Sequence, residues 1–292
     1  MKDVSIIFVN YKTKDLTINA INSVIEKTEG LDYEIFVVDN NSQDGSIESI
    51  EQTFPNINII KNPINAGFGA ANNLAIKQAK GKYILCLNTD TLLINNAIKI
   101  MFDFMEKEEN QNVGVCGGYL VDINGNENSC GGHLPSLIDI FWKFGIRRLF
   151  PNQYRRYNVS LNSKELVQLG YTEHIIGADI FFRKSVLDKV GLFDENYFMY
   201  REETDLCKRI KDVNFDIKLV QEANIIHFDG GSTKNYLEKI KRFRKSEFYY
   251  FQKHHPKQVK LVKTLYIILY LIDWLILRKK TSKELFKYVK EL

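Results

Sequence analysis

Cysteine is scarce in this chain: Cys86, Cys116, Cys130 and Cys207 are four among 292 residues. No two of them form a C-x-x-C pair. That excludes a disulfide framework and a zinc cluster of the usual spacing, and it fits a reducing compartment. Cys86 and Cys116 lie in apolar runs and read as buried thiols. A strong charge of either sign is also missing. Forty basic and 36 acidic residues leave a net +4, too mild to imply nucleic acid as a partner. No long stretch is low-complexity, which sets a disordered chain aside, and no internal repeat is visible. The N-terminus begins on a strand-like run, Val4–Val9. It lacks the basic start, apolar core and cleavage site of a signal peptide, so the chain is expected to start and stay in the cytoplasm.

What is present suits one large domain, or one domain with a helical appendage. Apolar residues make up 45% and charged residues 26%, ordinary values for a globular protein. The first half alternates regularly. Strand-like runs fall at Val4–Val9, Glu34–Val38, Ile57–Ile60, Tyr83–Leu87 and Val113–Cys116. Helix-like stretches lie between them at Leu16–Glu26, Ile47–Thr53, Ala70–Ala79 and Ala97–Glu106. Short, nearly continuous apolar strands alternating with amphipathic helices predict βαβ units around a buried parallel sheet. Ligands of such open sheets bind outside the carboxyl ends of the strands. Asn10-Tyr11, Asp39-Asn40 and Asn88-Thr89-Asp90 each follow a strand at once, and are expected to converge on one crevice.

The pattern changes after Leu120. Asn124-Gly125 reads as a hairpin turn, and residues 128–171 are irregular. Ile175–Phe182 reads as a strand, Lys184–Val190 and Thr204–Lys211 as helices, Ile217–Val220 and Asn224–His227 as two short strands. The end is helical. Leu237–His254 is charged and amphipathic. Leu261–Leu277 is apolar apart from Lys263, Thr264 and Asp273, and is flanked by Lys257, Lys260, Arg278, Lys279 and Lys280. It falls short of the ~20 apolar residues of a spanning helix. A helix lying in the interface, pinned by its basic flanks to anionic lipid, is expected. The alternative is a helix packed on the domain or at a homodimer contact.

Four constellations could carry chemistry. Asp39, in Asp39-Asn40-Asn41-Ser42, can accept hydrogen bonds from a base or a ribose. It can equally belong to a plain strand-to-helix turn, with Asp44 or Ser46 capping the helix. In Asn65-Ala66-Gly67-Phe68-Gly69-Ala70-Ala71-Asn72, the glycines allow close backbone approach before a helix whose N-terminus favours phosphate. The full dinucleotide fingerprint is missing and the motif follows the third strand, which disfavours a dehydrogenase. Asp90 can hold Mg2+ or Mn2+ through oxygen; Asn88 or Asp90 can instead cap the next helix. Glu202-Glu203 can serve the helix dipole, or one of them can take a proton from a hydroxyl. His227 ends a strand before Gly230-Gly231-Ser232, a mark of an exposed loop.

Taken in order, these elements resemble family 2 glycosyltransferases, especially the bacterial rhamnosyltransferase-like branch. The matching residues are Val9-Asn10-Tyr11, Val38-Asp39-Asn40-Asn41-Ser42, Asn65-Ala66-Gly67-Phe68 and Leu87-Asn88-Thr89-Asp90. Gly177-Ala178-Asp179-Ile180-Phe181-Phe182-Arg183 and Val190-Gly191-Leu192-Phe193-Asp194-Glu195 follow. Phe198-Met199-Tyr200-Arg201-Glu202-Glu203-Thr204-Asp205-Leu206 and His227 with Gly231-Ser232 complete the set, over about residues 3–255.

The resemblance implies an α/β fold of the GT-A (Rossmann-like) type: a mixed, mostly parallel central sheet flanked by helices, with a C-terminal amphipathic helical extension. It divides the chain into a GT-A domain at 1–235 and an extension at 236–292. Within the domain, 1–120 would bind the nucleotide sugar and 121–235 would serve the acceptor and catalysis. It implies a nucleotide diphosphate sugar as donor, dTDP-rhamnose or a UDP-sugar, held by Asn10, Tyr11, Asp39, Asn41, Asn65, Gly67, Phe68, Asn72, Asn88, Thr89 and Asp90. Asp90 and His227 would ligate a divalent cation, Mg2+ or Mn2+. Glu203, or less favourably Glu202, would be the base of a single inverting displacement. Two departures stand out: Asn88 replaces a common first Asp of the metal motif, and Glu203 stands where the family's pair usually has Asp.

His174, Asp179, Arg155 and Arg156 are candidates for the acceptor, expected to be a polyprenyl-diphosphate-linked glycan of cell-surface polysaccharide synthesis. The enzyme would then sit at the inner face of the cell membrane. Two other readings compete. A nucleotidyltransferase would need a Gly-rich basic loop after the first strand, where Asn10-Tyr11-Lys12-Thr13-Lys14 stands instead. A non-catalytic nucleotide-sugar or membrane-scaffold module would have no use for Asp90, Glu203 and His227.

Overall fold

Side chains along the N-terminal strands alternate between two buried clusters. Val4, Ile6 and Phe8 face one cluster and Ile7 the other. Ile35 and Val37 alternate with Phe36 and Val38, and Tyr83, Leu85 and Leu87 with Ile84 and Cys86, in the same way. Strands buried on both faces belong inside a sheet covered by helices on each side. The computed structural model describes residues 2–157, 172–228 and 235–292, without the side chains of 155–157. Its strands are β1 (Lys2–Asn10), β2 (Tyr33–Asp39), β3 (Asn58–Lys61), β4 (Gly81–Leu87), β5 (Thr91–Leu93) and β6 (Val113–Val121). They continue with β7 (Gly131–Gly132), β8 (His174–Ile175), β9 (Asp179–Arg183) and β10 (Asp216–His227).

Eight of these strands form one sheet in the order β3-β2-β1-β4-β9-β6-β10-β5. Pairing is parallel from β3 through β4 and between β6 and β10. It is antiparallel where β9 lies between β4 and β6, and where β5 joins β10. This is a mostly parallel α/β sheet. Helices α1 (Lys14–Lys27), α2 (Ser46–Thr53) and α4 (Ala97–Glu106) bury one face. Helix α3 (Phe68–Ile76) buries the other, together with two later helices that begin at Lys184 and Glu202. Cys86, Cys116, Cys130 and Cys207 are all buried free thiols, and burial pushes Cys86, Cys116 and Cys207 upward.

Four expectations from the sequence need correction. The run Ile175–Phe182 is two strands, because a turn at Gly177-Ala178 lies between β8 and β9. Ile217–Val220 and Asn224–His227 are one strand, β10, with a register irregularity between Leu219 and Asn224. A sheet neighbour absorbs an irregularity that local sequence reads as a break. The helix expected at Thr204 starts at Glu202, so both carboxylates sit on its first turn. Asn88 and Asp90 cap no helix, since β5 intervenes. Asn124-Gly125 does form a tight turn: Gly125 has φ +79° and the Asp122 carboxylate accepts from the Asn124 and Asn126 amides.

Leu137–Lys143 and Pro151–Tyr157 form α5 and α6, and Lys184–Val190 and Glu202–Asp212 form α7 and α8. The chain ends in α9 (Tyr236–His254), α10 (Val259–Leu275) and α11 (Lys280–Glu291). Phe248, Phe251, Val262, Tyr266, Tyr270, Leu285 and Val289 bury one another, and Ile140 of α5 joins them. Helix α10 therefore packs on protein along one face. Among the described residues, no helix is long and apolar enough to cross a membrane.

Helix α9 is tied to the domain through Lys253, which bridges Asp194 at 2.6 Å and Asp205 at 2.8 Å. Burial alone would raise the Asp194 carboxyl, but Lys253 and Asn196 hold it down to about 2. A depressed carboxylate stabilises the fold fully above its unfolded value of ~3.9, and that contribution is lost as pH falls towards 2. Thermal unfolding scans should therefore show a falling midpoint between pH 4 and pH 2. Lys253→Met should shrink that fall; an unchanged acid slope in the variant would remove the bridge from the account.

Candidate active site

The sheet brings the polar strand ends to one edge. Asn10 pairs with Asp39 and Asp39 with Lys61. β4 runs parallel beside β1, so Asn88-Thr89-Asp90 leave at the same edge. β9 starts there, with Asp179 opposite Leu87, and β10 ends there, with His227 opposite Thr91. Asp39, Asp90 and His227, far apart in sequence, thus share the carboxyl edge of a single sheet, where α/β proteins bind ligands.

At the first part of this edge, Asn10 is fully buried and donates to Asp39 Oδ1 (2.8 Å) and Ser46 Oγ (2.8 Å). The Ser42 amide donates to Asp39 Oδ2. Asn10 therefore orients Asp39 rather than facing a ligand. A cavity of about 390 Å³ opens beside Asp39, lined among others by Asn41, Gln43, Asp44, Lys61 and Asn62. Tyr11 is exposed at the end of β1.

Asn40, named in the sequence only as part of the Asp39-Asn40 cluster and given no role of its own, fixes the next loop. Its amide donates to Asn65 Oδ1 (2.9 Å) and the Gly67 carbonyl (3.2 Å), and its oxygen accepts from the Ala66 amide. The signal was available: an Asn directly after a strand-end Asp can read backbone on both sides. Gly67 corrects an expectation. Its φ is +90°, and a Cβ there would stand 2.0 Å from the Phe198 carbonyl oxygen. The close approach that this glycine allows is to the protein's own chain, and the Phe68 amide donates to that same carbonyl at 3.1 Å. Asn65 and Asn72 likewise spend hydrogen bonds on backbone, Asn65 on the Gly67 amide and Asn72 on the Phe68 carbonyl.

Further along the edge, the Asn88 amide donates to the Ala178 carbonyl and the Thr89 hydroxyl to Thr13. Asp90 is part exposed, and its backbone carbonyl accepts from Phe228. Its Oδ1 lies 3.5 Å from His227 Nε2. Two ligands of one cation, each about 2.1 Å from it and roughly at right angles, stand about 3 Å apart. A carboxylate oxygen suits either Mg2+ or Mn2+, and an imidazole nitrogen beside it favours the transition ion Mn2+ over Mg2+, so this pair could hold such a cation with a diphosphate completing its ligands. Among the described residues, no three His, Cys, Asp or Glu side chains gather to hold a metal alone.

Glu202 and Glu203 stand on the first turn of α8. The Phe198 segment that seats on Gly67 leads into this helix. Glu202 is buried, with its Cβ 3.5 Å from where a Cβ on Gly69 would lie, and its Oε2 has no hydrogen-bond partner among the described residues. Burial, and then the charge of Glu203, raise the Glu202 carboxyl well above its usual range. Glu203 is part exposed and accepts from the Thr204 hydroxyl at 3.2 Å. Burial raises it as well, while the Arg201 charge favours its ionised form. A partly open carboxylate beside a buried one whose ionised form is disfavoured is an arrangement that can accept a proton.

Two of the acceptor candidates, Asp179 and His174, are enclosed in the protein. Asp179 is fully buried, accepts from the Gly118 amide, and is pushed up to about 8 by burial. His174 is 9% exposed and driven down to about 3, by burial and then by the Arg201 charge. Neither presents an open face to a second substrate. The side chains of Arg155 and Arg156 lie outside the described residues, as do Gly230, Gly231 and Ser232.

Comparison with known proteins places the chain among glycosyltransferases. The chain is similar to an N-acetylglucosaminyl-diphospho-decaprenol L-rhamnosyltransferase of Mycobacterium tuberculosis, at 25% identity over 215 residues, 68% of this chain and 67% of that protein. It is also similar to a poly(ribitol-phosphate) beta-glucosyltransferase of Bacillus spizizenii, at 35% identity over 127 residues, covering 42% of this chain and 20% of that one. Among solved structures, a mannosyltransferase from Pyrobaculum calidifontis in complex with GDP-Man and Mn2+ superposes with a TM-score of 0.59 at 14% identity. That match covers 100% of this chain and 75% of the other. At such identity the likeness carries the GT-A fold alone. The sequence pattern described as "Glycosyl transferase family 2" matches residues 5–191. With well over half of its length under that pattern, the chain belongs to glycosyl transferase family 2 and is a glycosyltransferase.

Proposed function

We propose that the protein transfers a sugar, with inversion, from a nucleoside diphosphate sugar to a hydroxyl of a polyprenyl-diphosphate-linked glycan. The observation that carries this reading is the Asp90–His227 pair on the sheet edge that also holds Asp39; Glu203 is read as the base from its place on the first turn of α8, after the segment that seats on Gly67. Asp39, fixed by Asn10 and Ser42, offers its carboxylate to the donor's base or ribose. Asp90 and His227 hold the divalent cation. When bound, that cation supplies Lewis-acid neutralisation of the charge developing on the leaving diphosphate. Glu203 takes the proton of the acceptor hydroxyl as it attacks the anomeric carbon from the face opposite the diphosphate. Burial of the neighbouring Glu202 disfavours a second negative charge beside it. The proton ends on Glu203, the diphosphate leaves with the bonding electrons, and no covalent enzyme intermediate is needed.

Thermal-shift measurements with a panel of dTDP-, UDP- and GDP-sugars in Mn2+ test the donor. A ligand that binds the folded state raises apparent stability by mass action. One sugar nucleotide should raise the unfolding midpoint only with cation present, and be consumed with an acceptor. No shift across the panel would contradict the reading.

The membrane partner is supported by the outer face of α10. Val262, Tyr266 and Tyr270 face the protein, whereas Leu261, Ile268, Ile272 and Leu275 are exposed on the opposite side. Ile276 and Leu277 extend this strip, and the basic residues Lys257, Lys260, Arg278, Lys279 and Lys280 stand at its ends. An apolar strip about 25 Å long with cations at its ends suits an anionic bilayer at the inner face of the membrane. The protein should co-sediment with phosphatidylglycerol vesicles, less so in high salt. Ile268→Glu combined with Ile272→Glu should abolish this without lowering the unfolding midpoint. Undiminished sedimentation of the double variant would count against the strip as the membrane contact.

A further inference from the structure

Two consecutive bulky residues enter the left-handed region just before Glu202-Glu203. Tyr200 has φ +70° and Arg201 φ +71°. Side chains other than glycine rarely adopt this conformation, and it persists only where surrounding structure over-determines it. Here it sets the direction in which α8 departs, and so the aim of Glu203. What holds it is not in the sheet domain but on α9. The Ser246 hydroxyl donates to the Met199 carbonyl at 2.8 Å. The Tyr200 ring packs on Phe243 at 5.8 Å between centroids, and the Arg201 guanidinium lies over the same ring at 4.7 Å. Arg201 Nη2 stands 3.9 Å from Oε1 of Glu247.

Glu247 is 2% exposed. A carboxylate so enclosed needs charge partners, and it has three. Arg244 hydrogen-bonds it directly, and Lys143 of α5 and Arg201 each approach to 3.9 Å. Tyr266 and Tyr270 of α10 fix Arg244 from behind, each accepting at 2.8 Å. The cluster holds the carboxylate ionised, down to about 2 against the cost of its burial. A second grip sits one turn into α8, where the fully buried Asp205 binds His254, Lys253 and Arg209.

We infer that Glu247 is a positioning residue for the proposed base. Through Arg201 it locks the left-handed turn that aims Glu203 at the acceptor hydroxyl, which makes α9 part of the catalytic apparatus rather than an appendage. The inference rests on the reading of Glu203 as base. Misplacing a catalytic group by about 1 Å can cost ~10²-fold in rate, and a fault confined to that group lowers kcat while leaving donor affinity alone.

Steady-state kinetics on the full chain test this, with Glu203→Gln measured alongside. Glu247→Gln should lower kcat about tenfold or more with donor KM within about twofold, and Glu247→Asp should recover part of the loss. Residues acting through one contact are non-additive. Arg201→Gln with Glu247→Gln should therefore be no slower than the worse single variant. If Glu247→Gln fails to fold, Arg201→Gln reads the same contact, because it removes the charge that faces Glu247; the same kcat loss at unchanged KM is expected. Wild-type kcat in a folded Glu247→Gln or Arg201→Gln overturns the inference. So does loss of donor binding in step with the unfolding midpoint, the mark of a purely structural cluster. A wild-type rate in Glu203→Gln sinks the base assignment instead, whatever Glu247 does.

Discussion

Glu203→Gln is expected to lower kcat by about 10³-fold, within the ~10²–10⁴ that general-base catalysis supplies, with donor KM nearly unchanged. Glutamine keeps the volume and the contact with Thr204 but cannot accept the acceptor's proton. Its neighbour supplies the contrast. Glu202 is buried and its carboxyl is raised well above the usual range, which disfavours its ionised form and with it a role as base. Glu202→Gln should keep kcat within about tenfold of wild type. The pair of variants separates two adjacent residues that the sequence alone left open. The pH profile adds a second check. Burial raises the Glu203 carboxyl, and a base must be ionised to act. The acid limb of kcat should therefore lie above the ordinary glutamate value of ~4.3, and rate should fall as pH drops through it.

Asp90→Ala is expected to cost about 10²–10³-fold in turnover, the scale on which a single electrostatic contact to developing charge acts. Its readout need not be activity. Wild-type protein should show a larger thermal shift with nucleoside diphosphate plus Mn2+ than with nucleoside diphosphate alone, and Asp90→Ala should lose that difference. His227→Ala should weaken it in the same direction, because its Nε2 lies 3.5 Å from Asp90 Oδ1. A full cation-dependent shift in Asp90→Ala would remove this pair from the site.

The sheet was legible because its strands are buried on both faces and bounded by polar turns. Residues from Val4 to Leu87 announce four strands and the edge where they end. The GT-A resemblance was legible in the order of the motifs, not in any single one. What local sequence could not give was decided by distant partners. β5 is three residues long and exists because β10 pairs with it. Gly67 reads as a ligand contact until Phe198, over a hundred positions away, takes the space. His174 and Asp179 are polar residues that open β8 and β9, and only the packing around β7, β8 and β9 encloses them. Leu261–Leu277 was read as a helix with a choice between membrane and protein; the structure gives one face to protein and leaves the other face apolar and open. The role of α9 was hidden because charge and amphipathicity describe a solvated helix equally well, and nothing local marks Glu247 as buried.

Stereochemistry tests the central claim most directly. Once the donor is identified, proton NMR of the first product formed with an acceptor reports the configuration at the transferred anomeric carbon. The account predicts the configuration opposite to that of the sugar nucleotide, formed by wild type and not by Glu203→Gln. A product retaining the donor's configuration would contradict a single displacement assisted by one carboxylate base.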